Sequence, residues 1–190
     1  MIAAINAALI HNQSQPWMYD VLALTMEIVG RPQPEIERVL LSRIDFSAAD
    51  VPSMVYSAAY LTRFKADQQA LKLYQQAANL QPDRPEPYIM GLRLAEKLKD
   101  PEGILWAASG ILTHVWIKDY DQWHEKALNA LANLEQALKQ AGRKAEAERV
   151  QVARRKALER DLKLELTWNG DGDLDLIVEE PRGTVCSFES

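Results

Sequence analysis

The sequence predicts a mainly α fold: stacked helical hairpins followed by a short antiparallel β segment. Three observations carry that prediction. The middle of the chain repeats itself with a period of about 33 residues. Pro16, Pro52 and Pro85 stand at or near the starts of successive apolar-periodic runs, where a missing N–H costs nothing. From Leu162 the apolar period changes from the three-and-four step of a helix to the two-residue step of a strand.

Composition sets the frame for these elements. Of the 190 residues, 47% are apolar and 26% charged, ordinary for a globular chain with one core or a repeat array plus an appendage. No run approaches the roughly 20 apolar residues that span a bilayer, so no membrane span is expected. The opening "MIAAINAALIHNQSQPW" lacks a basic n-region and makes a poor secretory signal. The default location is then cytoplasmic, or the envelope or exterior if a signal precedes Met1 in the full gene. Cys186 is the only cysteine, so no internal disulfide forms. Net charge is −5, and it is unevenly placed. Residues 161–190 hold two Lys+Arg against eight Asp+Glu, while residues 1–160 hold 20 against 19. No face is basic enough for a phosphate backbone, which argues against nucleic acid as a partner.

In chain order, "IAAINAALIHN" reads as a first helix. Residues 51–82 form the clearest hairpin unit, with Ala58 and Leu61 in its first helix and Ala70, Tyr74 and Ala77 in its second. Small side chains at such positions let two antiparallel helices approach closely, while the large ones fill the space beside them. One repeat step forward, the corresponding positions hold Gly91, Leu94, Gly103, Ala107 and Gly110, so 85–114 is the next unit. A slightly longer step back places Ala23, Val39 and Ser42 in register, making 16–47 a more degenerate first unit. Beyond Lys118 the steps of three and four through Trp123, Ala127, Leu131, Leu134 and Leu138 predict a helix of about six turns, ended by Gly142. A second helix follows from about Arg143 to Arg160. Its basic run "ARRKALER" faces Glu146 and Glu148 and reads as a solvated surface. Then Leu162, Leu164, Leu166 and Trp168 alternate with polar residues, "NGDG" turns the chain, and Leu174, Leu176 and Val178 alternate with Asp173, Asp175, Ile177 and Glu179. "EPRG" turns it again before "TVCSF".

The units at 51–82 and 85–114 resemble the tetratricopeptide repeat (TPR). Ala58 matches the small residue of its first helix, Ala70, Tyr74 and Ala77 its Ala, aromatic and Ala positions, and Pro82 its close; Met54 replaces the usual Trp. The resemblance implies a right-handed α-solenoid of bacterial type over 1–118, with 119–160 as a long hairpin and cap. It also implies that the first helix is the second helix of a preceding unit, with Met1 a truncation; an ordinary capping helix is the alternative. In the family the first helices line a concave groove. Carried over by register, the lining is Asp20, Leu24 and Glu27, then Val55, Ala59, Thr62 and Arg63, then Tyr88, Leu92 and Glu96. Only Arg63 matches the cations with which some TPR proteins clamp a C-terminal carboxylate. An apolar groove edged with Glu suits a helix or extended segment with some positive charge.

The words "LTWNGDGDLDLIVEEPRGTVCSF" resemble the opening of a bacterial β-sandwich domain of unknown function. The resemblance implies that 161–190 are the first strands of an incomplete sandwich, able to self-associate through their uncovered face. Asp171, Asp173 and Asp175 fall on one strand face and form a weak calcium candidate, against plain solvation of that face. No cofactor and no catalytic constellation is expected. His11, His114 and His124 lack the spacing of a zinc site, and the aromatic residues Trp106, Trp116, Tyr120 and Trp123 read first as packing. The expected function is therefore a non-catalytic scaffold that binds a protein or peptide in its groove. The alternative is a cell-envelope or extracellular module in which the sandwich recognises the ligand and the helices are a stalk.

Overall fold

A computed structural model describes residues 1–46, 50–114 and 120–160, and beyond them 167, 169, 170, 172, 177–179 and 185–186. The chain is mainly helical. It divides into two compact units, Met1–Glu159 and Arg160–Ser190.

The first unit holds α1 (Ile2–Ile10), α2 (Pro16–Ile28), α3 (Gln33–Phe46), α4 (Val51–Arg63) and α5 (Asp67–Leu80). It continues through α6 (Pro85–Leu98), α7 (Pro101–Thr113), α8 (Tyr120–Gln140) and α9 (Lys144–Leu158). Proline occupies the first or second position of α2, α4, α6 and α7, where its fixed φ favours the helix and its missing N–H is one of the unpaired ones. Asp50 caps α4 by accepting from the Ser53 backbone N–H at 2.8 Å, and Asp100 caps α7 through the Glu102 N–H at 3.2 Å. That Ser53 backbone hydrogen bond, with a second from the Ser53 hydroxyl, holds the Asp50 carboxyl below its ordinary range.

The helices end as regularly as they begin. A residue of positive φ follows α2, α4, α6 and α8, at Gly30, Lys65, Lys99 and Gly142. The next residue donates back across each turn: Arg31 to the Met26 carbonyl, Ala66 to Leu61, Asp100 to Ala95 and Arg143 to Leu138, all at 2.9 Å. Asn12 closes α1 in the same way, with Gln13 donating to the Ala8 carbonyl at 3.0 Å. This left-handed closure satisfies orphan carbonyls at a helix C-terminus. Two of the closing residues are lysines, which have no natural preference for the conformation.

Each helix packs chiefly on its neighbours in sequence, and α7 also touches α9. A first core joins α1 to α5 and takes in Leu94 and Ala95 of α6; a second joins α6 to α9 and takes in Ala78 of α5. Ile104 and Trp106 pack against both, so the two are continuous. Ala23, Ala58, Ala70, Ala77 and Ala107 are fully buried at the small positions expected from the sequence. The glycines in register are tighter still. A Cβ on Gly110 would lie 2.2 Å from the Tyr88 ring, and one on Gly91 2.5 Å from Trp106.

The α8–α9 hairpin is tied together, and to α7, by charge as well as packing. Arg149 of α9 donates two hydrogen bonds, each 3.1 Å, to Glu102 of α7. Glu135 of α8 accepts from Lys139 and Gln151, both at 2.5 Å. The α9 basic stretch, read from the sequence as solvated, also contributes Arg154, 3.9 Å from Glu135.

In the second unit, β1 (Val178–Glu179) pairs antiparallel with β2 (Val185–Cys186), Val178 opposite Cys186. The strand expected from Leu162 through Leu164 and Leu166, the leucines Leu174 and Leu176, and the acidic trio Asp171, Asp173 and Asp175 lie outside the described residues.

Candidate functional site: depressions along α4, α6 and α8

The concave features of the first unit that involve predicted residues lie between alternate helices. Between α4 and α6, Ala59 and Thr62 face Met90, Arg93 and Lys97 across a depression of about 250 Å³ whose lining includes Tyr74. Between α6 and α8, Leu92, Arg93 and Glu96 face Trp123, Lys126 and Asn133 across one of about 340 Å³. A third, of about 480 Å³, continues from Glu96 and Asn133 over an apolar floor of Ile104, Leu134, Ala137 and Leu138 to a rim at Lys99 and Arg143. Arg93 belongs to the first two depressions, and Glu96, Ala130 and Asn133 to the last two. The three therefore form one series along α6.

Of the residues placed in the groove from the sequence, Ala59, Thr62, Leu92 and Glu96 line this series. The others have specific fates. Leu24 and Val55 are half-buried against the first core. Glu27 is exposed, and Arg63 is exposed with its guanidinium 5.9 Å from the Tyr60 ring. Tyr88 does not line these depressions: it is 7% exposed and packed over Gly110, its ring 5.5 Å from that of Trp106. The missing Cβ at 110 makes the room that draws it inward. Leu92, 4% exposed, is floor rather than wall, because it belongs to the second core with Ala130 and Leu131 of α8.

Asp20 is also occupied. Arg43 of α3 lies 3.2 Å from its carboxylate, donates to the Ser57 hydroxyl at 2.5 Å and sits 4.7 Å from the Tyr56 ring. Burial pushes the Asp20 carboxyl up and the Arg43 charge pulls it back. Burial, then the Asp20 charge, raises the Tyr60 hydroxyl as well. This cluster binds α2, α3 and α4 together.

Arg93, Trp123, Lys126 and Asn133 are absent from the lining expected from the sequence. Trp123, Lys126, Ala130 and Asn133 step by three and four along one face of α8, a pattern visible in the sequence but read there as a cap. Arg93 and Lys126 are exposed and lie 5.3 and 4.3 Å from the Trp123 ring centroid. Such contacts are worth about 0.5–1 kcal/mol at exposed sites and hold the ring and both cations in place. The lining of these depressions is consequently more basic than the Glu-edged groove expected from the sequence.

The histidines play a local part. A ring nitrogen of His124 lies 3.1 Å from the His114 carbonyl oxygen, and the His114 ring is 6.1 Å from that of Tyr88. Among the described residues no three His, Cys, Asp or Glu side chains come together as a metal site, and no helix is long and apolar enough to cross a membrane. No protein-family model matches the chain, and no curated protein matches it significantly.

Proposed function

We propose that residues 1–118 form a TPR-like right-handed α-solenoid, with 119–160 as its long hairpin and cap, that binds a peptide or partner segment, without catalysis, in the groove along α4, α6 and α8. The observation that carries the reading is the series of depressions between alternate helices, joined through Arg93 and through Glu96 and Asn133. The repeat reading has further support in the hairpin-closing residues Gly30, Lys65 and Lys99, whose spacing is close to the TPR length of roughly 34 residues. Helix hairpins stacked in sequence leave one face of every first helix without a neighbour, and that face is a groove ready for a segment that brings its own side chains. The Arg160–Ser190 unit belongs to the same proposal as the opening of a β-sandwich.

The test is selection of random dodecapeptides displayed on phage against the full chain. Binding of the selected peptides is then measured with Ala59→Trp and Asn133→Trp, which fill the groove, and with Gln76→Trp on the exposed side of α5. The groove variants should lose at least tenfold in affinity and Gln76→Trp almost nothing. Selected peptides that bind all three variants as they bind the unaltered chain would refute the proposal.

A further inference from the structure

Resting on that groove reading, we infer that the α6–α8 part takes an acidic peptide segment. One of its carboxylate side chains sits at Arg93 and Lys126, and a neighbouring apolar side chain enters the depression over Ile104, Leu134 and Leu138. Some of the cations along these depressions are spent on ion pairs and others, Lys99 on the far rim among them, are not. Lys97 is paired with Asp67 at 2.7 Å, and Arg143 with Glu146 at 2.5 Å. Arg93 and Lys126 have no carboxylate partner among the described residues; each rests on Trp123. Two exposed cations fixed on one aromatic ring concentrate positive charge without neutralising it, and the fixed geometry lowers the entropy lost when a carboxylate binds.

Glu96 sets the direction. It stands where the Arg93 depression meets the apolar one, so a ligand carboxylate is repelled there and drawn toward Arg93 and Lys126. An apolar side chain is accepted on the other side, over aliphatic floor. Asn133, at the same junction, offers both a donor and an acceptor to a peptide backbone crossing it. A nucleic-acid strand fits less well: a continuous phosphate run would have to pass Glu96 and would leave the aliphatic depression unfilled.

The same displayed dodecapeptides test this inference separately from the groove itself. Sequences selected on the full chain should be rich in Asp and Glu around one large apolar residue. A synthetic peptide of the leading sequence should lose at least tenfold in affinity when its acids become Asn and Gln. The Arg93→Gln/Lys126→Gln chain, altered only at exposed positions and checked for unchanged helicity, should lose a similar factor and no longer distinguish the two peptides. Neutral or basic selected sequences that Asn133→Trp still blocks would overturn the charge assignment and leave the groove reading standing. Failure to select any groove-dependent peptide would overturn both. If a dodecathymidylate binds as tightly as the acidic peptide and competes with it, the site is one for nucleic acid and the inference is wrong.

Discussion

Gly110→Ala is the most informative single change in the helical unit, because two effects of known size oppose each other there. Alanine in place of glycine inside a helix is favourable by about 0.8–1.0 kcal/mol. At this position the new Cβ would lie 2.2 Å from two carbons of the Tyr88 ring and 3.0 Å from a third. No Cβ is tolerated at such distances, so the ring must move. Trp106 stands 5.5 Å away and His114 6.1 Å away, centroid to centroid, and Tyr88 is 7% exposed, so there is little room for it. Overpacking of this kind costs about 1–3 kcal/mol. The net expectation is a destabilisation of about 0–2 kcal/mol. In a Tyr88→Leu background the clash is relieved, and Gly110→Ala should then stabilise by close to the full helix-propensity gain. Urea unfolding of the four chains, followed by circular dichroism, closes the cycle. The coupling should be about 1–3 kcal/mol. If Gly110→Ala stabilises both backgrounds equally, Tyr88 does not fill the space left by the glycine.

Other consequences are measurable in the same way. Ala77, fully buried in the α4–α5 hairpin, should lose about 1–3 kcal/mol on replacement by Leu, while Gln76→Leu on the exposed side costs little; equal melting temperatures would count against the repeat packing. Lys65 holds φ +61° after α4, so Lys65→Gly should relieve about 1 kcal/mol of strain and raise Tm by about 2–4 °C, whereas Lys65→Ala should not. Burial pushes the Tyr74 hydroxyl from 10.0 up to about 12. The folded state therefore holds that proton more tightly than the unfolded one. The associated stability is fully present below the ordinary tyrosine value and is lost as pH rises from there through about 12. Allowing for solvent screening, it amounts to about 1–2 kcal/mol. Urea midpoints measured on either side of the ordinary tyrosine value should fall less steeply in Tyr74→Phe, and an unchanged slope would contradict the burial of that hydroxyl.

The helices are legible in the sequence because their signals are local. Proline at a helix start, apolar residues at three and four, and Gly142 at a helix end all act within a few residues of where they stand. The small residues Ala58, Ala70 and Ala77 are equally legible as contact positions. The left-handed turns at Lys65 and Lys99 are not, since lysine carries no mark of that conformation and the turn is imposed by the hairpin around it. The place of Tyr88 is hidden for a related reason. The repeat register maps Tyr88 onto Val55 and Gly110 onto Ala77, but Gly110 has no Cβ where Ala77 has one, and the larger side chain moves into the gap.

Charge is harder to read from the sequence than helix position, because a charge is available only if the fold leaves it unpaired. A lining taken from register counts Asp20 as available, yet Arg43 of α3 lies 3.2 Å from its carboxylate. Lys97 would add a positive charge but for Asp67 of α5. Both partners sit on second helices, whose contribution a register of first helices does not contain. Of the cations that remain, Arg93 and Lys126 come from α6 and α8, which all of α7 separates in sequence. They meet because α7 folds back and lets α8 lie beside α6. Their shared contact is Trp123, an aromatic residue that a sequence reading assigns to packing. Packing and presentation are the same act here: the ring lies with Leu92 in the α6–α8 depression and, in that position, carries the two charges. The charge of the α6–α8 depression therefore emerges only after the helices have packed, and substitutions that leave the packing intact while changing Arg93 and Lys126 isolate it from the fold.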